Sequence, residues 1–135
     1  MSMRYYGIIG YGINLNLVKD RIVKDKLISF LKSENAYIEG RDGYRDYVDG
    51  TVYDSIGEMF WYTATNNNIV DYCESEDCSY LLFFPTYPWL LPGGVDDTPR
   101  ELVNDVIIES VQSLTDMTID EIVPLIDYID DYYLG

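Results

Sequence analysis

Histidine is absent from this chain of 135 residues. Histidine is the commonest metal ligand and the side chain best suited to proton transfer near neutral pH. Its absence removes the usual base of a nucleophilic triad, and the sequence contains neither a G-x-S-x-G motif nor a phosphate-binding loop. The sequence therefore predicts no catalytic residues and no cofactor.

Cysteine is scarce, with only Cys73 and Cys78 in a C-x4-C spacing. A structural zinc site needs four ligands, usually from Cys and His, so we expect no metal. Two reduced thiols are expected in a reducing cytoplasm, with one small disulfide loop as the alternative. The chain also lacks a signal peptide and any run of about 18 apolar residues, which predicts a cytoplasmic protein without a membrane span.

Positive charge is scarce as well. Asp and Glu number 24 against nine Lys and Arg, and the net charge is −15. Residues 1–32 carry +4, whereas residues 33–135 carry −19. Such a chain repels phosphate backbones and anionic lipids, so we expect neither nucleic acid nor a membrane as a direct partner. Apolar residues make up 47% of the chain, enough for a folded core.

The pattern of apolar and turn-forming residues predicts an α+β fold in a single domain, residues 1–135. It consists of a small, mostly antiparallel sheet with three or four helices packed on one face. The strands are expected over residues 4–13, 69–72 and 79–84, and the last of these is the candidate for a central strand. Helices are expected over residues 17–33, 55–65 and 98–114, with a last helix running from Thr118 through Ile129. Capping-box sequences S/T-x-x-E begin at Ser55, Thr98 and Thr118, and Pro124 shortens or kinks the last helix.

The predicted first strand contains glycines in the pattern G-x-x-G-x-G, from Gly7 to Gly12. This is not the dinucleotide-binding order G-x-G-x-x-G. We expect Gly7 and Gly10 to mark a strand bulge, with a phosphate-binding turn as the alternative.

Carboxylates recur every four residues on the helix after Thr98, at Glu101, Asp105 and Glu109, and Asp116 continues the row. Four residues advance about 6 Å along a helix. Phosphates along one DNA strand are separated by a comparable distance, roughly 6–7 Å. Like charges at this spacing cost an isolated helix ~0.2–0.5 kcal/mol per pair, which argues for a use of the row. The alternative is a solvated helix face that keeps the protein soluble.

The predicted partner-binding surface combines this row with the acids that follow it. Near the C-terminus the acids alternate with tyrosines, and Tyr supplies contact area while acids meet Arg and Lys of a partner. The predicted partner-binding residues are Glu101, Asp105, Glu109, Asp116, Asp120, Glu121, Asp127, Asp130 and Asp131.

Two other functions are compatible with the sequence. A carboxylate-dependent hydrolase needs two facing carboxylates, one with a raised pKa, and the adjacent acids are candidates: Asp96-Asp97, Asp120-Glu121 and Asp130-Asp131. A structural protein could instead self-associate, as a homodimer, through its 14 tyrosines.

An aromatic segment, Tyr80–Trp89, leads through a turn into the helix from Thr98. Over residues 80–115 the chain resembles small acidic early proteins of tailed bacteriophages. The resemblance implies an anti-defence role without catalytic residues, similar to anti-CRISPR inhibitors. We therefore expect a non-enzymatic inhibitor that mimics nucleic acid and blocks the basic nucleic-acid-binding groove of a host nuclease or defence complex.

Overall fold

A computed structural model describes residues 5–86 and 98–134 of the chain. Within these residues four helices accompany one four-stranded antiparallel sheet, which confirms the α+β prediction. The strands are β1 (Tyr5–Asn14), β2 (Asp71–Glu74), β3 (Tyr80–Pro85) and β4 (Asp127–Leu134). The helices are α1 (Lys24–Ser33), α2 (Ile56–Thr63), α3 (Thr98–Leu114) and α4 (Ile119–Ile122). No helix in the described ranges has the length and apolar character needed to cross a membrane.

The strands lie in the order β2-β3-β1-β4, and every neighbouring pair is antiparallel. β3 is an interior strand, and Leu81, Leu82 and Phe83 are all buried. Because successive side chains point to opposite faces, β3 is buried on both sides, as its apolar run predicts. β4 pairs with β1 from Tyr5 opposite Leu134 to Gly12 opposite Asp127.

The sheet curls until its two edges meet. The Glu76 N–H, just after β2, donates to the Tyr132 carbonyl oxygen in β4 at 2.9 Å. The Leu134 N–H donates to Glu76 Oε2 at 3.3 Å. Because β2 and β4 lie at opposite edges, these bonds require one face of the sheet to be concave. That face holds a small apolar core of Ile8, Leu81, Phe83 and Ile129.

Glycines in β1 allow the sheet to curve in this way. The predicted bulge at Gly7 and Gly10 is wrong. Pairing between β1 and both neighbours is continuous, with no extra residue opposite Gly7 or Gly10. A Cβ at Gly12 would collide with the backbone of Leu82 and Phe83, so glycine is what lets β3 approach. The segment is extended and paired, so it is not the phosphate-binding turn considered above.

The main core lies between the other face of the sheet and the helices. α3 buries the apolar stripe that its sequence predicts, consisting of Val103, Val106, Ile107, Val111 and Leu114. Leu102, expected on the same stripe, is instead exposed.

α1 begins later than predicted. Residues 15–17 and 19–21 form short 3-10 turns instead of the first turns of the helix. The Val23 N–H donates to the Leu114 carbonyl at 2.9 Å, and Ile22 forms a β-bridge with Thr115. These bonds hold the chain extended against the end of α3, so the helix begins only at Lys24.

The predicted C-terminal helix is wrong beyond Ile122. Thr118 and Glu121 form the expected capping box, but α4 ends after four residues and a 3-10 turn containing Pro124 follows. After Ile126, eight residues form β4 along most of β1 and bury Ile129. Proline supplies no N–H to continue the helix, and the long pairing with β1 then outweighs the helical spacing of the apolar residues.

α2 matches its prediction closely. Ser55 Oγ accepts from the Glu58 N–H at 3.3 Å, whereas the Glu58 carboxylate accepts from the N–H of Asp54, one residue earlier than a capping box requires. Pro88, Trp89 and the Asp96-Asp97 pair lie outside the described residues, as does the side chain of the predicted cap Thr98.

Candidate functional site

Three carboxylates form a row on the exposed side of α3: Glu101, Asp105 and Glu109. The opposite side of the helix packs against α1, α2 and the sheet, which fixes the direction in which the row points. Eight residues separate the first and last acid, a span of about 12 Å at ~1.5 Å per residue. None of the three has a salt bridge to a cation in the described ranges.

Glu109 is held in place by the chain after α2. Its Oε1 accepts from the Thr65 N–H at 2.6 Å and from the Thr65 hydroxyl at 2.7 Å. Both donors are neutral, so they fix the rotamer of the carboxylate without adding a positive charge beside it. Thr65 is a contact that the sequence does not reveal, because 44 residues separate it from Glu109.

Arg21 forms ion pairs with two acids that continue the row beyond α3. Its Nε lies 3.0 Å from Asp116 Oδ1, and its Nη1 lies 2.9 Å from Glu121 Oε2. Hydrogen bonds from Arg21 and from the Thr118 N–H lower the pKa of Glu121 from 4.5 to about 2. Asp116 and Glu121 are therefore ion-paired within the fold, while Asp120 remains exposed.

Lys26 adds a second cation at the same end of α3. Its Nζ donates to the carbonyl oxygens of Gln112 and Thr115, both at 2.8 Å. A cation is favourable at a helix C-terminus, where the last carbonyl groups have no partner in the helix. The acidic row thus runs from Glu101 to Glu109 and ends where the cations from the N-terminal part of the chain begin.

The acids of β4 do not extend the row as one surface. Asp127 and Asp131 point to the concave face of the sheet, and Asp130 points to the other. Asp127 Oδ1 accepts from the Tyr128 N–H at 2.7 Å, and Asp131 Oδ1 accepts from the Tyr132 N–H at 2.8 Å. These aspartates occupy backbone donors on the open edge of the strand.

The orientation of those donors follows from the pairing of β4. The Tyr132 carbonyl accepts from Glu76, so the backbone groups of Tyr132 point away from β1. Alternate residues of a strand direct their backbone groups to the same side, so Tyr128 shares this orientation. The edge that a second strand would join is therefore partly occupied by this chain's own carboxylates.

The nine predicted residues consequently separate into three groups. The α3 row has no salt bridge to a cation of the described residues. Asp116 and Glu121 share Arg21, and the β4 acids lie on both faces of a strand. Arg100, next to the first acid of the row, places its guanidinium 5.1 Å from the centre of the Tyr11 ring in β1. We confine the candidate site to Glu101, Asp105 and Glu109.

Among the described residues, every carboxyl group whose pKa departs from its usual value has it lowered. Hydrogen bonds from Lys24 and Tyr37 lower the pKa of Asp42, and those from Thr51 lower the pKa of Asp49. A hydrolase acid would need the opposite shift. Among residues 5–86 and 98–134, no group of three acidic or cysteine side chains is arranged to hold a metal ion.

The two cysteines are unpaired thiols in the structure. Cys73 borders the concave core, where burial raises the pKa of its thiol, and Cys78 is exposed in the loop between β2 and β3. No protein family, curated protein or solved structure matches this chain.

Proposed function

We propose that this protein is a non-enzymatic inhibitor that binds a basic nucleic-acid-binding groove in place of nucleic acid. The partner would be a host nuclease or defence complex, and the place of action the host cytoplasm. The observation that carries the proposal is the row of Glu101, Asp105 and Glu109, whose carboxylates are exposed and lack a salt bridge in the described part of the chain. The resemblance to acidic phage proteins over residues 80–115 includes this helix.

The way the row is held supports binding without reorganisation. α3 is fixed by its buried stripe, and Glu109 is fixed by Thr65. A preorganised anionic surface loses little conformational entropy when it meets a cationic groove. Lys and Arg side chains in such a groove are complementary to the row in sign, and they guide association from a distance.

The proposal is tested by charge reversal on the row. We expect E101K/D105K to abolish capture of partners from a bacterial lysate by the immobilised protein. The matched control is E39K/D46K, which makes the same change in net charge at two exposed acids between α1 and α2. Captured proteins are eluted with duplex DNA, since a protein bound through its nucleic-acid groove is released by DNA.

The expected result is a set of proteins retained by wild type and E39K/D46K, released by DNA and missing from E101K/D105K. Far-ultraviolet circular dichroism checks that each variant remains folded. Retention of the same proteins by all three columns would overturn the proposal, as would partners that DNA does not release.

A further inference from the structure

A separate pocket lies between the end of α1, the loop before α2 and the exposed side of α2. Its volume is about 220 Å³, and it combines two carboxylates with two tyrosine rings. Its lining residues are Glu34, Ala36, Val52, Tyr53, Glu58 and Tyr62. No Lys or Arg of the described chain lines it.

Tyr53 is the most deeply placed polar side chain of this pocket. Only 6% of its surface is exposed, and its hydroxyl has no hydrogen-bond partner among the described residues. Burial, together with the charges of Glu34 and Glu58 and the neighbouring Tyr62, raises the pKa of Tyr53 to about 12. The hydroxyl is therefore neutral at physiological pH. No side-chain oxygen of the described residues is both buried and without a hydrogen-bond partner, so the Tyr53 hydroxyl reaches solvent through the pocket, where a ligand can bond to it.

Glu58 is oriented toward this region by two donors. Its Oε2 accepts from the Tyr72 hydroxyl at 3.0 Å, and its Oε1 accepts from the Asp54 N–H at 3.3 Å. Glu34 ends α1 on the other side of the pocket, with its side chain exposed. Two negative charges therefore flank the neutral Tyr53 hydroxyl.

The tyrosine rings provide the remaining wall. The Tyr53 and Tyr62 ring centres are 5.9 Å apart, and the ring planes are tilted by 42°. The face of an aromatic ring attracts a cation within about 6 Å of its centre. Tyr53 is buried and stacks on Phe30, with ring centres 6.2 Å apart, so the accessible ring is that of Tyr62. A cation here would meet the Tyr62 ring and the carboxylates together.

We infer that this pocket binds a guanidinium group, such as the side chain of an arginine presented by another protein. A guanidinium is planar, stacks on aromatic rings and donates several hydrogen bonds in fixed directions. Glu34, Glu58 and the Tyr53 hydroxyl can accept those bonds. A quaternary ammonium would match the rings but could not donate to the carboxylates.

This site is distinct from the acidic row on α3. On α2, Phe60 and Thr63 face α3, and their backbone and hydroxyl oxygens bond to Ser110. Glu58 and Tyr62 lie one turn apart on the opposite side of the helix. The inference therefore does not depend on the proposed function, and E101K/D105K should bind the same ligand as wild type.

The test is titration of the ¹⁵N-labelled protein with N-acetyl-arginine methylamide, followed by backbone NMR shifts. We expect saturable shifts centred on Ala36, Val52 and Tyr53. The citrulline analogue, which keeps the shape without the charge, and tetramethylammonium should bind much more weakly. Glu34→Gln should weaken arginine binding about fivefold, the scale of one partly exposed ion pair, whereas Glu39→Gln should not.

Several results would overturn the inference. Shifts that do not saturate, or that spread evenly over the acidic surface, would indicate a general counterion effect. Equal binding of citrulline or tetramethylammonium would contradict recognition of a guanidinium. Equal weakening by Glu34→Gln and Glu39→Gln would place the effect outside the pocket.

Discussion

Glu121 couples the charge of one side chain to the stability of the fold. Its carboxylate accepts from Arg21 and from the Thr118 backbone, and its pKa falls from 4.5 to about 2. A carboxyl group with a lowered pKa in the folded state stabilises that state fully above its unfolded pKa. This contribution is therefore present above pH 4.5 and is lost as the pH falls toward 2.

Replacing Glu121 by Gln should remove that pH dependence. The amide keeps the size and hydrogen-bonding capacity of the cap but loses the charge that pairs with Arg21. We expect E121Q to have a lower melting temperature than wild type at pH 7, and the difference to narrow between pH 4.5 and pH 2. Asp120→Asn is the matched control, because Asp120 is an exposed acid of the same helix.

Melting curves recorded across this range by circular dichroism measure the effect. A constant difference between E121Q and wild type at every pH would contradict the assigned role of the ion pair. The Asp120→Asn curve should run parallel to that of wild type.

Single residues were predictable where their partners are close in sequence. The caps at Ser55 and Thr118 are examples, because each side chain bonds three residues ahead. Arg21 was not predictable as a partner of Glu121, which lies 100 residues away. The contact between Thr65 and Glu109 was not predictable for the same reason, because 44 residues separate them.

At the scale of elements, the close approach of β1 and β3 depends on glycine. A Cβ at Gly12 would overlap the backbone of Leu82 and Phe83, which cannot move without breaking strand pairing. We expect Gly12→Ala to destabilise the protein by about 1–3 kcal/mol, the usual cost of overpacking a core.

Urea unfolding followed by tryptophan fluorescence measures this change in free energy. The matched control is Gly43→Ala, since a Cβ there would meet only the Asp46 carboxylate at 3.8 Å, and the backbone φ of −99° suits alanine. Equal unfolding midpoints for wild type and Gly12→Ala would show that the strand can shift to accommodate a methyl group.

Elements with strong local patterns were predicted well, and those decided by distant pairing were not. α3 and α2 follow from apolar periodicity and capping, and β3 from its apolar run. The first residues of β4 were predicted as helix because Ile122, Ile126 and Ile129 also fit a helical spacing. Only the presence of β1 as a pairing partner decides between the two, and a local pattern carries no information about it.

At the scale of the whole molecule, the net charge of −15 opposes compaction. Arg21, Lys24 and Lys26 form ion pairs or bond carbonyl groups, but most acids remain without a cation in the described ranges. Repulsion among exposed charges is screened by salt, and the Debye length falls from about 30 Å at 0.01 M to about 3 Å at 1 M.

We therefore expect the melting temperature to rise as salt increases over this range. Sodium chloride and potassium chloride should act alike if screening is the cause. A melting temperature that falls with salt would mean that the ion pairs of Arg21 and Lys24 outweigh the repulsion among the acids.

The net charge of the sequence predicts an acidic surface. Its distribution also predicts a cationic N-terminal part, residues 1–32, and an acidic remainder. The sequence does not show which acids form ion pairs with these cations, because that depends on how the end of α3 packs against the chain around Arg21. The nine predicted residues therefore do not share one surface. Three of its nine members form the exposed row, while others belong to a cap, an ion pair or a strand edge.

The aspartates at the edge of β4 affect how mutations on this surface are interpreted. Asp131 occupies the Tyr132 N–H, next to the Tyr132 carbonyl that Glu76 already bonds, whereas Asp127 occupies the Tyr128 N–H, which would otherwise be open to an incoming strand. Replacing Asp127 exposes that N–H, so such a variant would be lost from a binding screen through aggregation. The lost binding signal would then be mistaken for a lost contact with the partner, unless the size of each variant in solution is measured alongside its affinity.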